Sequence, residues 1–345
     1  MGPMMETRMP RLPRLHVQDR PLMELCNRVC QGFALLRPDE DFNALVIGAL
    51  AKAQELFPVA VHGGQILSTH LHLLCSPADV EQQAGFMAFF TRHLSMIAAG
   101  RHDWQGSMFP QRYSALEISP EESAQVERLK YVLSNGCKEG LVASPLEWPG
   151  VGFAAALVGG GRLKGVWVNR AALYAARRRG EDVSERDFAE PVELVLSPLP
   201  CWAHLGRRRY RGAVAGLIRE IEKETAGMHR AAGTLPAGAA AVQRARPLSP
   251  RPLERTPGRW VYARSLEVVS ELLEGLKQKV VSYRAAADLL RSGLRQTVFP
   301  PNCFPPALPF EPSTVSSVSV PSVSVPGDST GPSPPPPSRH GPSRS

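Results

Sequence analysis

The sequence has no long hydrophobic run and no recognisable export signal. No stretch of about eighteen consecutive apolar residues occurs in it, and a membrane-spanning helix needs about that many. Residues 1–21 are basic but lack the apolar core of a secretory signal. We therefore expect a cytoplasmic protein without a membrane-spanning segment, in which residues 1–21 form a disordered basic arm.

The sequence also lacks the paired cysteines of metal ribbons and disulfide frameworks. Its six cysteines are scattered, and the C-x3-C spacing of Cys26 and Cys30 is not followed by a second pair. A zinc ribbon needs two such pairs, so this class of site is not indicated. In the absence of an export signal, we expect all six to be reduced thiols.

What the chain does contain is a substantial apolar fraction and an excess of positive charge. Hydrophobic residues make up 43% of the 345 residues, which is enough for a sizeable buried core. The formal net charge of +8 favours a polyanionic partner. Charge alone supports only non-specific association with nucleic acid.

Hydrophobic periodicity divides the first 150 residues into alternating strands and helices. In chain order, the pattern predicts strands at 26–36, 59–67, 69–75 and just before residue 118, and helices at 39–56, 78–99 and 119–135. The Gly63-Gly64 pair predicts a bulge in the second strand. This order predicts an α+β fold, a ferredoxin-like antiparallel sheet with helices on one face, followed by a mostly helical C-terminal extension and a disordered tail.

The third predicted helix begins with a strong local signal. Ser119 is placed to cap the helix, Pro120 suits its first turn, and Glu122 is placed to complete a capping box. We expect the helix to end near Asn135, where Gly136 or Gly140 breaks it.

Two histidines in the third predicted strand are the first candidates for chemistry. Residues i and i+2 of a strand point to the same face, so His70 and His72 project together. Two adjacent imidazoles suit a divalent metal. The alternative is a pair of solvated or core-edge histidines without a ligand.

The third predicted helix supplies complementary groups. Tyr131 and Asn135 lie one turn apart on the same side, together with Arg128 and Lys138. If this side faces the histidines, two imidazoles, an amide oxygen and a phenol converge. Such a set suits phosphodiester cleavage: Mg²⁺ or Mn²⁺ held by His70, His72 and Asn135 binds the phosphate, and Tyr131 attacks it. A phenol needs nearby positive charge to ionise at neutral pH, and Lys130, Lys138 and the metal are candidates to supply it.

These segments resemble a known family. Thr69-His70-Leu71-His72-Leu73-Leu74 resembles the His-hydrophobic-His strand of the single-tyrosine HUH transposases, and Tyr131-Val132-Leu133-Ser134-Asn135 resembles their nucleophile helix. Lys138-Glu139-Gly140-Leu141-Val142 and the later Trp148-Pro149 are similar to the REP-associated tyrosine transposases of this superfamily, as are Trp104-Gln105 and Arg112-Tyr113. The resemblance covers roughly residues 32–150.

The resemblance implies a fold, a reaction and a partner. It implies that His70, His72 and Asn135 ligate the metal and that Tyr131 forms a 5′-phosphotyrosine on single-stranded DNA, releasing a 3′-hydroxyl. Rejoining reverses this chemistry, so no further cofactor is implied. The expected partner is single-stranded or hairpin DNA, bound by a monomer or homodimer in a bacterial cytoplasm near the nucleoid.

The chain departs from the family at two positions. Thr69 stands where asparagine is common before the first histidine, and Gly136 replaces the proline after the helix asparagine. Neither change removes a proposed ligand or the nucleophile. Both bear on how a hairpin is positioned.

The domain organisation predicted from these features has six parts. They are the basic arm 1–21, the transposase-like catalytic domain 22–150, a helical extension 151–232, a linker 233–258, a helical segment 259–310 and a disordered Pro/Ser-rich tail 311–345.

DNA contacts are predicted for seven basic side chains. They are Arg112, Arg128, Lys130, Lys138, Arg207, Arg208 and Arg209. For the arginines near Tyr210, the alternative is a solvated helix face. His62, His93 and His204 are interpreted as structural.

Three functions remain open from the sequence. The first is a metal-dependent tyrosine transposase, which cuts and rejoins single-stranded DNA. The second is a domesticated protein of the same fold that binds DNA structures without cutting them. The third is an unrelated basic regulatory protein in which the two histidines occur by chance.

Overall fold

The computed structural model describes residues 14–249 and 260–306. Most of the predicted basic arm, the end of the predicted linker and the predicted Pro/Ser-rich tail lie outside these residues. No helix in the described part of the chain is long and apolar enough to cross a bilayer.

A mostly antiparallel five-stranded sheet organises the N-terminal half. The strands are β1 (Leu22–Arg28), β2 (Ala60–Ile66), β3 (His70–Ser76), β4 (Ser114–Ile118) and β7 (Val261–Tyr262). The first four have the spatial order β2-β3-β1-β4, and the short β7 lies in parallel beside β4. This is the ferredoxin-like order, and the predicted α+β class is confirmed.

Nine α-helices accompany the sheet within the described residues. They are α1 (Glu40–Leu56), α2 (Val80–His102), α3 (Glu122–Leu133), α4 (Asn135–Lys138), α5 (Ala154–Gly159), α6 (Arg170–Arg178), α7 (Arg207–Ala232), α8 (Ala239–Gln243) and α9 (Leu266–Arg291). Helices α1 and α2 each connect two parallel strands of the sheet, and they pack against each other on one face. This leaves the other face of the sheet for α3.

The predicted bulge in β2 is present. Its register against β3 shifts between Val61 and Gly63, so that Gly63 pairs with Leu74 and Gln65 pairs with His72. A Cβ atom at Gly63 would lie 2.7 Å from Cδ1 of Leu129. Helix α3 therefore lies against the same face of the sheet as Leu74, two positions along the strand from His72.

Two local predictions were wrong in detail. The first strand was predicted at 26–36, whereas β1 is Leu22–Arg28 and the chain then turns through a short 3-10 segment. The predicted capping box of α3 does not form, because the helix begins two residues later than predicted and its N-cap is Glu121. Ser119 Oγ donates to the Glu121 carboxylate instead, at 2.7 Å.

In the C-terminal half, α7 packs against α3, α4 and α5, and α9 packs against β7. The predicted helical extension 151–232 contains α5, α6 and α7, and the predicted helical segment 259–310 contains α9. A two-stranded antiparallel sheet, β5 (Arg162–Val168) and β6 (Ala189–Val195), was not predicted and packs on α1. Helix α1 and strand β5 come closest at Gly48 and Gly165. A Cβ atom on Gly48 would overlap the backbone of β5, and one on Gly165 would overlap the backbone of α1.

Candidate active site

The candidate site is built on a row of polar residues across the sheet. Gln65 of β2, His72 of β3 and Cys26 of β1 are cross-strand partners, and His70 is paired with Arg28 two positions away. Because paired residues of neighbouring strands share a face, these side chains project towards the side occupied by α3. The predicted common orientation of the two histidines follows from this register.

Each histidine is buried and held through its Nδ1 atom. Nδ1 of His72 lies 2.8 Å from Oε1 of Glu24, and Nδ1 of His70 lies 2.8 Å from Oγ1 of Thr69. A carboxylate only accepts, so Nδ1–H of His72 donates to Glu24. The Nε2 atoms lie on the opposite side of each ring from these hydrogen bonds. His72 Nε2 lies 3.7 Å from Cys26 Sγ, and His70 Nε2 lies 4.0 Å from Oε1 of Glu139.

The two histidines have opposite electrostatic environments. Burial, reinforced by His72 and Arg28, lowers the pKa of His70 to about 3, so His70 is a neutral imidazole at physiological pH. Burial also acts to lower the pKa of His72, but Cys26 and Glu24 outweigh it and raise that pKa to about 9. A neutral imidazole with a fixed Nδ1 is the form that ligates metals.

Tyr131 lies directly against the histidines. Its ring centroid is 5.9 Å from that of His72 in an edge-to-face arrangement, and the rings of His70 and His72 are 5.1 Å apart. The guanidinium of Arg128 lies 4.1 Å and the ammonium of Lys138 4.3 Å from the Tyr131 ring centroid. Both imidazoles, the phenol and two cations thus occupy one site.

The acidity of Tyr131 is set by competing neighbours. Burial raises the pKa of its phenol, Glu24 raises it further, and Arg128 acts in the opposite direction. Of the two lysines considered for lowering this pKa, only Lys138 touches the ring. The ammonium of Lys130 is turned to α7, where it donates to Glu224 at 2.7 Å and to Glu220 at 3.1 Å.

Asn135 is buried at the first residue of α4, and its Nδ2 donates to the carbonyl oxygen of Val132 at 3.3 Å. Contacts of the neighbouring residues Gly136 and Glu139 show that this turn lies over β2 and β3. A Cβ at Gly136 would lie 3.2 Å from Nε2 of Gln65, and Glu139 reaches towards His70.

The donor set fits a divalent ion chemically. In the described residues, no three side chains of the His, Cys, Asp and Glu types surround a common point, so any ion would also need amide oxygens or water. His70 and the amide of Asn135 are neutral ligands, and His72 becomes one when an ion displaces its Nε2 proton. Oε1 of Gln65, the cross-strand neighbour of His72, is buried and has no hydrogen-bond partner among residues 14–249 and 260–306.

Other sequence-predicted residues lie elsewhere. Arg112 is exposed in the loop before β4, in the electrostatic neighbourhood of Arg14. Arg207, Arg208 and Arg209 form the exposed first turn of α7. His62 is structural, as expected, because its Nδ1 contacts the carbonyl oxygens of Ser197 and Pro198, and its Nε2 contacts Ser76 Oγ.

Four residues of the site were not predicted from the sequence. Glu24 and Cys26 belong to β1, and Gln65 and Glu139 complete the surroundings of the histidines. The spacing of Glu24 and Cys26 is the same i, i+2 spacing as that of His70 and His72. This signal was hidden because the first strand was placed four residues too late.

Comparisons with known proteins give a distant structural similarity. No family model matches the chain, and no curated protein matches it. Among solved structures, the chain is similar to a REP-associated tyrosine transposase bound to a REP hairpin. The identity is 14%, the TM-score is 0.31, and the match covers 41% of this chain and 80% of that one. A TM-score of this size carries no weight for function.

Proposed function

We propose that the protein cleaves and rejoins single-stranded DNA near hairpins, with Tyr131 as the nucleophile and a divalent ion, Mg²⁺ or Mn²⁺, held by His70, His72 and Asn135. The observation that carries the proposal is the contact of Tyr131 with His72, beside a second histidine that is likewise fixed through Nδ1. Side chains that only fill a core have no need for two anchored imidazoles beside a phenol and two cations.

In the proposed reaction, Tyr131 Oη loses its proton to solvent and attacks the scissile phosphorus. The bond from phosphorus to O3′ breaks, and the 3′ oxygen takes up a proton. The product is a phosphotyrosine on the 5′ end and a free 3′-hydroxyl. Attack by a 3′-hydroxyl reverses the step, so the number of phosphodiester-type bonds is conserved and no nucleotide cofactor is needed.

The chain's own residues have separate roles in this reaction. Arg128 and Lys138 lie over the Tyr131 ring, where they favour the phenolate and attract the phosphate. His70 and His72 present Nε2 atoms, and Asn135 supplies an amide. The bound ion would neutralise charge on the phosphate.

The test is formation of a covalent protein–DNA adduct. The full chain is incubated with Mn²⁺ or Mg²⁺ and a labelled hairpin that carries a single-stranded flank, and the adduct is resolved by denaturing electrophoresis and mapped by mass spectrometry. We expect an adduct at Tyr131 that is lost in Tyr131→Phe. Tyr262→Phe is the matched control, because the Tyr262 ring also lies under Arg128, at 5.0 Å, and we expect it to retain the adduct.

The alternatives give different results in the same experiment. Hairpin binding without an adduct, for every flank and with both metals, would favour a domesticated protein that binds DNA structures. An adduct that maps to Tyr262 would displace Tyr131 as nucleophile. Absence of hairpin binding would favour an unrelated basic protein.

A further inference from the structure

Glu24 is a charged residue at an apolar position of the sheet. Its cross-strand partners are Leu74 on β3 and Leu116 on β4, and it is only 4% exposed. A buried carboxylate costs free energy unless it is paired and hydrogen-bonded. The hydrogen bonds that offset this cost therefore indicate what Glu24 does in the site.

The two oxygens of this carboxylate bind two different parts of the candidate site. Oε1 accepts from Nδ1 of His72 at 2.8 Å. Oε2 accepts from Nε of Arg128 at 2.7 Å, and a second guanidinium nitrogen also donates to it. Arg128 in turn stacks on Tyr131. One side chain thus joins a proposed metal ligand to the cation that covers the proposed nucleophile.

We propose that Glu24 is a positioning residue that holds His72 with its Nε2 available for the ion and Arg128 against Tyr131. The inference rests on the proposed function for its catalytic meaning. Its effect on His72 is independent of DNA cleavage, because it concerns only which nitrogen of the ring carries the proton and where the ring points.

Replacing Glu24 by glutamine separates this role from simple filling of space. Glutamine has nearly the same shape but only one acceptor oxygen and one donor group. If the oxygen accepts from His72, the amide N–H₂ faces the guanidinium of Arg128, and two donors oppose each other. If the amide is turned round, its N–H₂ faces Nδ1 of His72 and favours the tautomer with the proton on Nε2, the nitrogen meant for the ion.

The experiment measures Mn²⁺ binding to the full chain by calorimetry and the rate of adduct formation at saturating Mn²⁺. We expect Glu24→Gln to weaken Mn²⁺ binding by about 10- to 100-fold, the usual effect of losing such a partner of a ligating histidine. The single oxygen of glutamine cannot accept from both His72 and Arg128, and the negative charge that attracts Arg128 is lost in either orientation. We therefore expect the adduct rate to stay low when Mn²⁺ saturates the site. Glu24→Asp keeps the charge, and we expect it to recover part of both losses.

Glu117→Gln is the matched control. Glu117 is also a buried carboxylate of the same sheet, 3% exposed, but it accepts from the backbone amides of Val17 and Gln18. Its strand position pairs with Met23, which lies on the opposite face from Glu24. We expect Glu117→Gln to lower the urea midpoint while Mn²⁺ affinity and adduct rate stay unchanged.

The outcomes distinguish the two proposals. Mn²⁺ affinity within twofold of wild type and an unchanged adduct rate in Glu24→Gln would overturn the positioning role. Equal losses of Mn²⁺ affinity in the Glu24 and Glu117 variants would also overturn it, since they would reflect destabilisation alone. If wild type makes no adduct but Glu24→Gln weakens Mn²⁺ binding and Glu117→Gln does not, the positioning of His72 stands and the transposase function falls.

Discussion

Leu129 of α3 lies directly on Gly63 of β2, so close that a Cβ at Gly63 would stand 2.7 Å from Leu129 Cδ1. Real Cβ atoms do not approach side chains this closely, so a side chain at position 63 would force the fully buried Leu129 to shift. Tyr131 is two residues after Leu129. The glycine therefore contributes to the position of the proposed nucleophile as well as to the packing of the core.

We expect Gly63→Ala to destabilise the fold by about 1–3 kcal/mol, the usual effect of overpacking a core, and to reduce adduct formation because α3 is pushed away from the histidines. Urea unfolding and the adduct assay measure the two effects. Gly227→Ala is the control, since Gly227 lies in α7 and no atom of the part of the chain that the structure describes would come within 4 Å of a Cβ there. There alanine should stabilise the helix by about 0.5–1 kcal/mol. Equal stability of wild type and Gly63→Ala would contradict the contact.

Helices α1 and α2 and the bulge in β2 could be predicted because their signals are local. The apolar spacing of 39–56 and 78–99 follows a helical period, and the Gly63-Gly64 pair identifies the bulge in β2. The α+β order, and with it the relation of His70 to His72, follows from these local patterns. The placement of Tyr131 beside His72 depends on a tertiary contact, which the sequence only suggested.

The parts that could not be predicted depend on contacts between distant segments. Strand β6 contains Pro191, which argues against a strand. The proline is tolerated because, within the described residues, β6 is an edge strand that pairs with β5 alone. Strand β5 packs on α1 through Gly48 and Gly165, which lie more than a hundred residues apart in the sequence and have no shared pattern. Glu24 likewise looks like a surface residue until its partners His72 and Arg128 are known.

His62 makes stability dependent on pH. Burial lowers its pKa below the ordinary 6.5, opposed by the carbonyl groups of Ser197 and Pro198. A histidine with a lowered pKa binds a proton more readily when unfolded. Its contribution to stability is therefore present above pH 6.5 and is lost as the pH falls below 6.5 towards the folded-state pKa.

We expect His62→Asn to have a smaller free energy of unfolding than wild type at about pH 8. We also expect it to lose less of that free energy than wild type does between about pH 7 and pH 5, the range in which the unfolded histidine takes up its proton. The measurement is the urea midpoint at each pH. Because other histidines titrate in both proteins, the difference between the two curves isolates His62. Parallel curves would show that His62 is not buried in its neutral form.

Lys130 and Lys138 were both predicted to contact DNA, but they occupy different environments. Lys138 lies over Tyr131, whereas Lys130 is paired with Glu220 and Glu224. We expect Lys138→Ala to weaken hairpin binding and to reduce the salt slope of log Kobs by about 0.7–0.9, the effect of one lost phosphate contact. We expect Lys130→Ala to leave both quantities unchanged.

This comparison is made by fluorescence anisotropy over a range of salt concentrations. Tyr131→Phe is the background for both lysine variants, so that covalent adducts do not accumulate. Equal losses for the two lysines would mean that the ion pairs of Lys130 open when DNA binds.

The first turn of α7 offers a second candidate contact with DNA. Arg207, Arg208 and Arg209 are exposed, and the turn contains no acidic residue. Positive charge at a helix N-terminus opposes the helix dipole, so these arginines do not serve helix stability. Helix α7 also carries Glu220, the partner of Lys130, eleven residues from Arg209. At the helical rise per residue, this places the arginines about 17 Å along α7 from the level of Lys130, or about five base-pair steps of a duplex stem.

We expect replacement of all three arginines by glutamine to lower hairpin affinity and to reduce the salt slope by about 2.7, three times the value per phosphate of duplex DNA. Thermal stability should be unchanged or slightly higher, since the unfavourable interaction with the helix dipole is removed. Replacement of Arg177, Arg178 and Arg179 is the matched control. These lie at the C-terminal end of α6, where Arg179 pairs with Glu181 and positive charge suits the dipole. A control variant that reduces the slope as much as the α7 variant would show that net charge alone governs binding, and the α7 turn would lose its role as a specific contact.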